Sequence, residues 1–318
     1  MDVLGILLEF VAGLVLFLYG VTRLSEALKL MAGEKMKDFL KRCTTNRFAA
    51  LATGAVATTI LDSSSVTIIM LIATVNAGLL SFEHSLGVIL GSNIGTTVSS
   101  QLFALNVDRY APVGLALGFL LYMLGNNRYR NRGMLVFGVG LVFFGLHVMS
   151  EAMAPLKDHK PVLDWIKRLE NPLAGALTGA VVTAVIQSSS AVMGIIITMA
   201  SSGMISLPAG IALMLGAEVG TCTDTLLATI GRSRAALRAG IFHLSFNIIT
   251  AALGVAFAAE LAQLVRWVSG STSVERQIAN AHVLFNVLGA ALFIGFIPVI
   301  ARSLRWILPP KEPAEEYS

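Results

Sequence analysis

The sequence predicts an all-α polytopic membrane protein made of two inverted-topology repeats, each with a re-entrant helical hairpin and a broken transmembrane helix. Three observations carry that expectation. The 318 residues are 55% hydrophobic and only 13% charged, with a mean hydropathy of +0.77, well outside the range of soluble globular chains. Apolar stretches long enough to cross a bilayer core of about 30 Å start near residue 4 and continue to residues 278–300. A polar patch in an apolar segment, Asp62-Ser63-Ser64-Ser65, returns 125 positions later as Gln187-Ser188-Ser189-Ser190.

The same offset extends beyond the serines. Without a gap it pairs Gly13 with Gly138, Gly20 with Gly145, Asn46 with Asn171, and Thr53-Gly54-Ala55-Val56 with Thr178-Gly179-Ala180-Val181. It continues through Gly78 and Gly203, Ser81 and Ser206, and Gly91, Gly95, Thr96 against Gly216, Gly220, Thr221. A register held for more than 80 residues marks an internal duplication.

The first repeat spans residues 1–127 and the second 128–260, followed by an additional C-terminal span within 261–308 and a disordered tail at 309–318. Each repeat opens with a span, about 5–22 or about 133–150, and a charged amphipathic connector, 23–47 or 151–172. Met1-Asp2 lacks the basic start of a secretory signal, so the first apolar stretch is expected to stay as a span. The serine segments, 48–79 and 173–204, come next. Their limbs have about 14 residues each, or roughly 20 Å of helix, too short to cross, so re-entrant hairpins with the serines at their tips are expected. Two more spans close each repeat.

With hairpins returning to their side of entry, each repeat crosses three times, and the odd number turns the second repeat upside down. Loop charges agree with this. Connector 23–47 holds Arg23, Lys29, Lys35, Lys37, Lys41, Arg42 and Arg47 against three acids, whereas connector 151–172 is balanced. The positive-inside bias then puts Arg128, Arg130, Arg132, Arg232, Arg234, Arg238, Arg302 and Arg305 on the cytoplasmic face. Seven full spans, an external N-terminus and a cytoplasmic C-terminus in the cytoplasmic membrane follow as expectations. The net charge of +4 reflects these basic residues beside spans, so a nucleic-acid partner is not expected and the lipid bilayer is. Cys43 and Cys222 form neither a disulfide framework nor a metal-ligand spacing.

The second limb of each hairpin starts at the serines. Its free N–H groups and partial positive charge, with the hydroxyls beside them, suit an oxyanion near the midplane. A second pair of motifs, Gly91-Ser92-Asn93-Ile94-Gly95-Thr96-Thr97 and Gly216-Ala217-Glu218-Val219-Gly220-Thr221-Cys222-Thr223-Asp224, suggests local unwinding that frees carbonyls for cations. Residues 48–107 and 173–230 contain Asp62, Glu218 and Asp224 but no Lys or Arg. Buried acids without basic partners call for bound cations, with Na⁺ favoured over H⁺.

These motifs resemble the sodium-dependent phosphate cotransporter type II family, as a bacterial member. That family carries duplicated Gln-Ser-Ser-Ser motifs followed by Gly-Ala/Ser-Asn-Ile-Gly-Thr segments. Ser63, Ser64, Ser65, Gln187, Ser188, Ser189 and Ser190 match the first motif, and Ser92, Asn93, Gly95, Thr96, Gly220 and Thr221 the second. Asp62 stands in place of the family's Gln and Glu218 in place of its usual Asn.

The resemblance implies Na⁺-coupled uptake of inorganic phosphate by alternating access, with both hairpin tips holding substrate and sodium. On this reading phosphate is held by Ser63, Ser64, Ser65, Gln187, Ser188, Ser189, Ser190, Asn93, Thr96 and Thr221. Sodium is held by Asp62, Ser64, Ser189, Ser92, Asn93, Thr97, Glu218, Thr221 and Asp224. Another oxyanion, H⁺ coupling and export stay open as alternatives, as does assembly as a homodimer. No enzymatic activity is expected, because neither hairpin contains a His to serve as base for a serine nucleophile. His243-Leu244-Ser245-Phe246-Asn247 and His282-Val283-Leu284-Phe285-Asn286 form a small echo, read as helix-helix hydrogen bonding.

Overall fold

The structure, a computed structural model, describes residues 3–105, 107, 110–124 and 127–309. The tail expectation for 309–318 falls outside these residues apart from Pro309. Among the described residues there are fifteen α-helices and no strand. Helix α1 runs from Val3 to Arg42 without interruption. The expected boundary between a span and a connector at residue 23 is absent because residues 23–42 contain no Pro and a single Gly among good helix formers. An Arg23–Glu26 ion pair at 2.7 Å lies within the helix just past the expected boundary. The counterpart after α6 (Asn127–Met153) contains Pro155, Pro161 and Pro172, and there the chain breaks into 3₁₀ turns around the short helix α7 (Lys160–Lys167).

Each serine segment is a helix, a break and a second helix: α2 (Arg47–Leu61) with α3 (Ser64–Asn76), and α8 (Pro172–Ile186) with α9 (Ser189–Ser201). The limbs measure 15 and 13 residues in both copies. Asn46 and Asn171 cap α2 and α8, each side-chain oxygen accepting two N–H groups of the first turn. The glycines that follow α3 and α9, Gly78 and Gly203, share φ +69°. Ser81 then caps α4 (Phe82–Phe103), and Ser206 caps α10 (Leu207–Gly220). The duplication in sequence is thus a duplication in local geometry.

Close approaches fix how the helices run. Gly13 abuts Met149, Phe17 abuts Gly145, Gly20 abuts Val142 and Leu24 abuts Gly138, so α1 and its counterpart α6 pack antiparallel. Gly91 and Gly95 of α4 lie against Leu51 and Ala55 of α2, and Gly216 and Gly220 of α10 against Ala176 and Ala180 of α8. These contacts advance together along both chains, so α4 runs parallel to α2 and α10 parallel to α8. A Cβ at Gly91 or Gly216 would stand 1.8 Å from a backbone oxygen. The paired glycines therefore serve helix packing. The unwinding expected at Gly91–Thr97 does not occur, since α4 is continuous. The second copy does break, at Thr221, between α10 and α11 (Cys222–Leu227).

Among the described residues five helices are long and apolar enough to cross a membrane: Leu4–Ala32, Tyr129–Leu156, Leu207–Leu227, Arg234–Ala256 and Val274–Ile294. A sixth results if the pair Lys160–Glu170 and Pro172–Ile186, bent by 102°, counts as one. The sequence reading expects seven spans. The shortfall has two causes: α5 (Ala111–Leu124) has only 14 residues, and α4 is diluted by Ser92, Asn93, Thr96, Thr97, Ser99, Ser100 and Gln101. Val181 and Val185 on α8 and Leu120 and Leu124 on α5 are exposed, an apolar surface suited to hydrocarbon. The chain is a multi-pass membrane protein. Helices α12 (Arg234–Ala256), α13 (Ala258–Ser269), α14 (Val274–Ile294) and α15 (Ile297–Ile307) complete it, with α12 packed on α10 and α4 and α14 on α4, α9 and α10.

Candidate functional site

The two breaks have the same backbone. Asp62 ends α2 at φ 51° and Gln187 ends α8 at φ 59°, both left-handed. Ser63 and Ser188 follow in extended conformation and cap the next helix, accepting the N–H of Val66 at 3.3 Å and of Ala191 at 3.2 Å. The first N–H groups of α3 and α9 are left without intrahelical acceptors.

The two tips meet. One small polar cavity of about 20 Å³ is lined by Asp62, Ser63, Ser64 and Ser65 from the first copy and Gln187, Ser188, Ser189 and Ser190 from the second. Thr221, at the break between α10 and α11, completes the lining. No Lys, Arg or His lines it, and its volume is that of a water or a small ion.

One acid, Asp62, lines this cavity, and a second, Asp224, lies beside it. The Asp62 carboxylate accepts a short hydrogen bond from Ser99 of α4. Asp224 of α11 lies against the Ser65 hydroxyl and accepts the Thr225 N–H at 2.6 Å. Thr58 donates to Thr67 across the first hairpin at 3.0 Å. In the second hairpin Val192 stands at the position of Thr67, and the hydroxyl of Thr183, the counterpart of Thr58, is buried without a partner.

The other sequence-derived site residues lie outside this lining. Ser92, Thr96 and Thr97 turn their hydroxyls onto carbonyls of their own helix at 2.8, 3.1 and 2.7 Å. Asn93 donates to Asn247 of α12 at 3.1 Å. Glu218 approaches His282 of α14, with 2.8 Å between Oε1 and Nε2, and is only 2% exposed. His282 Nδ1 lies 2.7 Å from Ser100, and His243 Nδ1 lies 2.8 Å from Thr225. Both histidines therefore join helices, as the sequence echo suggests. Ser99 is the site residue that sequence reasoning misses. Its one signal is helical spacing, three residues beyond Thr96.

A larger cavity of about 270 Å³ between α12, α13 and α14 is apolar except for Glu260 and Thr250 at its wall. It offers no set of converging polar groups. Among the described residues no three His, Cys, Asp or Glu side chains cluster as a metal centre. The polar convergence in the molecule lies at the two tips.

The chain is similar to several known proteins. YqeW of Bacillus subtilis, whose name assigns no activity, is 32% identical over 253 residues, covering 79% of this chain and 82% of its own. A Salmonella typhimurium protein named for inorganic phosphate export, YjbB, is 23% identical over 262 residues, covering 81% of this chain. The chain spans 48% of that relative's length. Sodium-dependent phosphate transport protein 2A of Mus musculus is 34% identical over 96 residues, 30% of this chain and 15% of its own. No solved structure matches the chain. The Na⁺/Pi-cotransporter family model matches residues 16–151 and 159–296, nearly the whole of both copies, and the chain belongs to that family of phosphate transporters.

Proposed function

We propose that this protein is a secondary transporter that couples Na⁺ to the uptake of inorganic phosphate across the cytoplasmic membrane by alternating access. The observation that carries this reading is the single cavity where two serine tips converge without a basic side chain. Two helix N-termini with hydroxyls beside them attract an oxyanion. With no Lys or Arg available, the charge of Asp62, Asp224 and phosphate together requires bound cations.

The distribution of charge divides the cavity. Both carboxylates adjoin the first tip, Asp62 as part of it and Asp224 through Ser65. Sodium therefore binds on that side, to Asp62, Ser64 and Asp224, with Ser189 facing it. Phosphate binds toward the neutral tip, to Gln187, Ser188, Ser190 and Thr221, with Ser63 and Ser65 completing its shell. Glu218 leaves the sodium set because its carboxyl is committed to His282.

Three observations support inverted repeats with re-entrant hairpins. The equivalent helices α1 and α6 are antiparallel, α4 resumes the direction of α2 after α3, and α10 does the same after α8. Under that topology the basic end of α1 and the basic start of α6 share the cytoplasmic face, the N-terminus is external and the C-terminus internal. Opening the cavity alternately to each face would admit phosphate, which exceeds its volume here.

The test is uptake of labelled phosphate into proteoliposomes under an inward Na⁺ gradient, with choline replacing Na⁺ and with arsenate and sulfate as competitors. Saturable, Na⁺-dependent uptake inhibited by arsenate more than sulfate is expected. Uptake indifferent to Na⁺ would sink the coupling. Efflux against an outward phosphate gradient, with no uptake under any Na⁺ gradient, would replace symport with export.

A further inference from the structure

Two buried His–Asn networks join helices of the two copies, and they differ in how the Asn Oδ1 is met. On α14, His282 Nδ1 meets Ser100 and the Asn286 Nδ2 donates to the His282 carbonyl at 3.1 Å. On α12, His243 Nδ1 meets Thr225 and the Asn247 Nδ2 donates to the His243 carbonyl at 3.0 Å. Ser100 and Thr225 are 125 positions apart, so α14 sits on α4 as α12 sits on the α10–α11 span.

In the α12 network the Asn247 Oδ1 receives the Asn93 amide at 3.1 Å. The residue 125 positions after Asn93 is Glu218. In the α14 network the Asn286 Oδ1 is fully buried and has no donor. Its orientation is fixed, because the other amide atom already donates to a carbonyl. Where one copy supplies an amide N–H, the other supplies a carboxyl, which donates only when protonated.

We infer that Glu218 and His282 form a buried proton-binding site holding one proton on the Glu218 carboxyl, which donates to the Asn286 Oδ1. His282 is then neutral, with Nε2–H donating to Glu218 Oε1 and Nδ1 accepting from Ser100. Every polar atom of the pair is satisfied, and the pair changes from one negative charge to none when a proton from water binds.

No other charged group substitutes for that proton. On elements packed against α10, the titratable groups nearest Glu218 are His282 of α14, Cys222 and Asp224 of α11, and His243 of α12, which touches Cys222. The other charged residues of α14 and α12 sit at the starts of these helices: Glu275 and Arg276, the latter bonded to Gln101, and Arg234 and Arg238, the latter bonded to the Leu308 carbonyl. Helices α8 and α9 contain no charged residue, and Glu260 and Arg266 of α13 are exposed. Arg168 and Glu170, on the 3₁₀ turn before α8, are exposed as well, with Glu170 bonded to Ser206 at the far start of α10. With His282 neutral, a deprotonated Glu218 would be a buried anion without a cation.

The consequence for transport rests on the proposed phosphate reading: the site gives the cycle a proton dependence separate from Na⁺. The proton itself is tested without transport, by infrared spectroscopy of the purified protein at neutral pH, free of Na⁺ and phosphate. A carboxylic-acid C=O band that shifts in D₂O is expected, to be lost in Glu218→Gln and kept in Asp62→Asn. Gln can donate to Asn286 and accept from His282, so this variant should fold. In Asn286→Leu the band should move to higher frequency as its acceptor is lost. A missing band, or one untouched by Glu218→Gln, overturns the site, and a band unmoved in Asn286→Leu overturns Asn286 as the acceptor. Failure of Na⁺-dependent uptake with the band intact would instead count against the phosphate reading.

Discussion

The two serine tips share a backbone and differ in charge. Asp62 and Gln187 adopt the same left-handed turn, and Ser63 and Ser188 the same capping geometry. Yet the first copy has its acid at the tip and a hydroxyl, Ser99, on the neighbouring helix. The second has an amide at the tip and an acid, Asp224, at the position 125 after Ser99. Asp224 then reaches across to Ser65 of the other tip. Duplication supplied two equal anion-attracting helix ends, and divergence at two positions placed both carboxylates on one side.

The comparison can first be broken where the copies are equal. Replacing Gly91 or Gly216 by Leu drives a side chain into a backbone oxygen 1.8 Å from the new Cβ, and this packing cannot relax without separating α2 from α4 or α8 from α10. Both variants should fail to give a monodisperse protein in detergent chromatography, to the same degree. If one copy tolerates the change, the scaffold is not equivalent in the two halves.

The next test is where they differ. Asp62→Asn keeps a residue suited to the left-handed turn and removes only the charge. The half-saturating Na⁺ concentration for phosphate uptake should rise at least about tenfold, ~1.4 kcal/mol, while arsenate and sulfate competition keep their order. Unchanged Na⁺ activation would remove Asp62 from the cation side. Gln187→Asp should do the reverse and weaken apparent phosphate affinity more than Na⁺ affinity, since a carboxylate then faces the substrate. A smaller effect is expected from Ser99→Ala, which deletes one hydrogen bond to Asp62. The Asp62 charge stays while one of its donors is lost, so Na⁺ activation should weaken by less than in Asp62→Asn, without change in folding.

Much of this architecture is legible in the sequence because it is local and periodic. The 125-residue register, the Asn caps, the turn glycines and the short limbs all leave marks within a few residues of one another. The continuity of α1 was legible in principle, since residues 23–42 lack a breaker, but their charge pattern resembles a connector. Gly91 and Gly95 misled in a different way. A glycine pair looks the same whether it frees a carbonyl or admits a neighbouring helix, and only the approach of Leu51 decides. The Glu218–His282 contact, across 64 residues, and the Ser99–Asp62 contact, across 37, leave no local trace. Part of the candidate site list was therefore drawn from helix α4, whose hydroxyls satisfy their own backbone.

The smallest expected effect tests whether the second hairpin is merely a looser copy of the first. Thr58 and Thr67 brace the first hairpin, while Thr183 is left with an unpartnered buried hydroxyl opposite Val192. Val192→Thr places a hydroxyl of nearly the same volume where Thr67 has it. Interhelical hydrogen bonds within membranes contribute about 0.6 kcal/mol on average, so the melting temperature in detergent should rise slightly. Val192 is 3% exposed, and a new hydroxyl there that failed to reach Thr183 would be buried without a partner and lower stability instead. A rise with slower phosphate turnover would mean that the first hairpin is the braced half and the second the moving one. A rise with unchanged turnover would leave the difference between the halves purely electrostatic, residing in Asp62, Gln187 and Asp224.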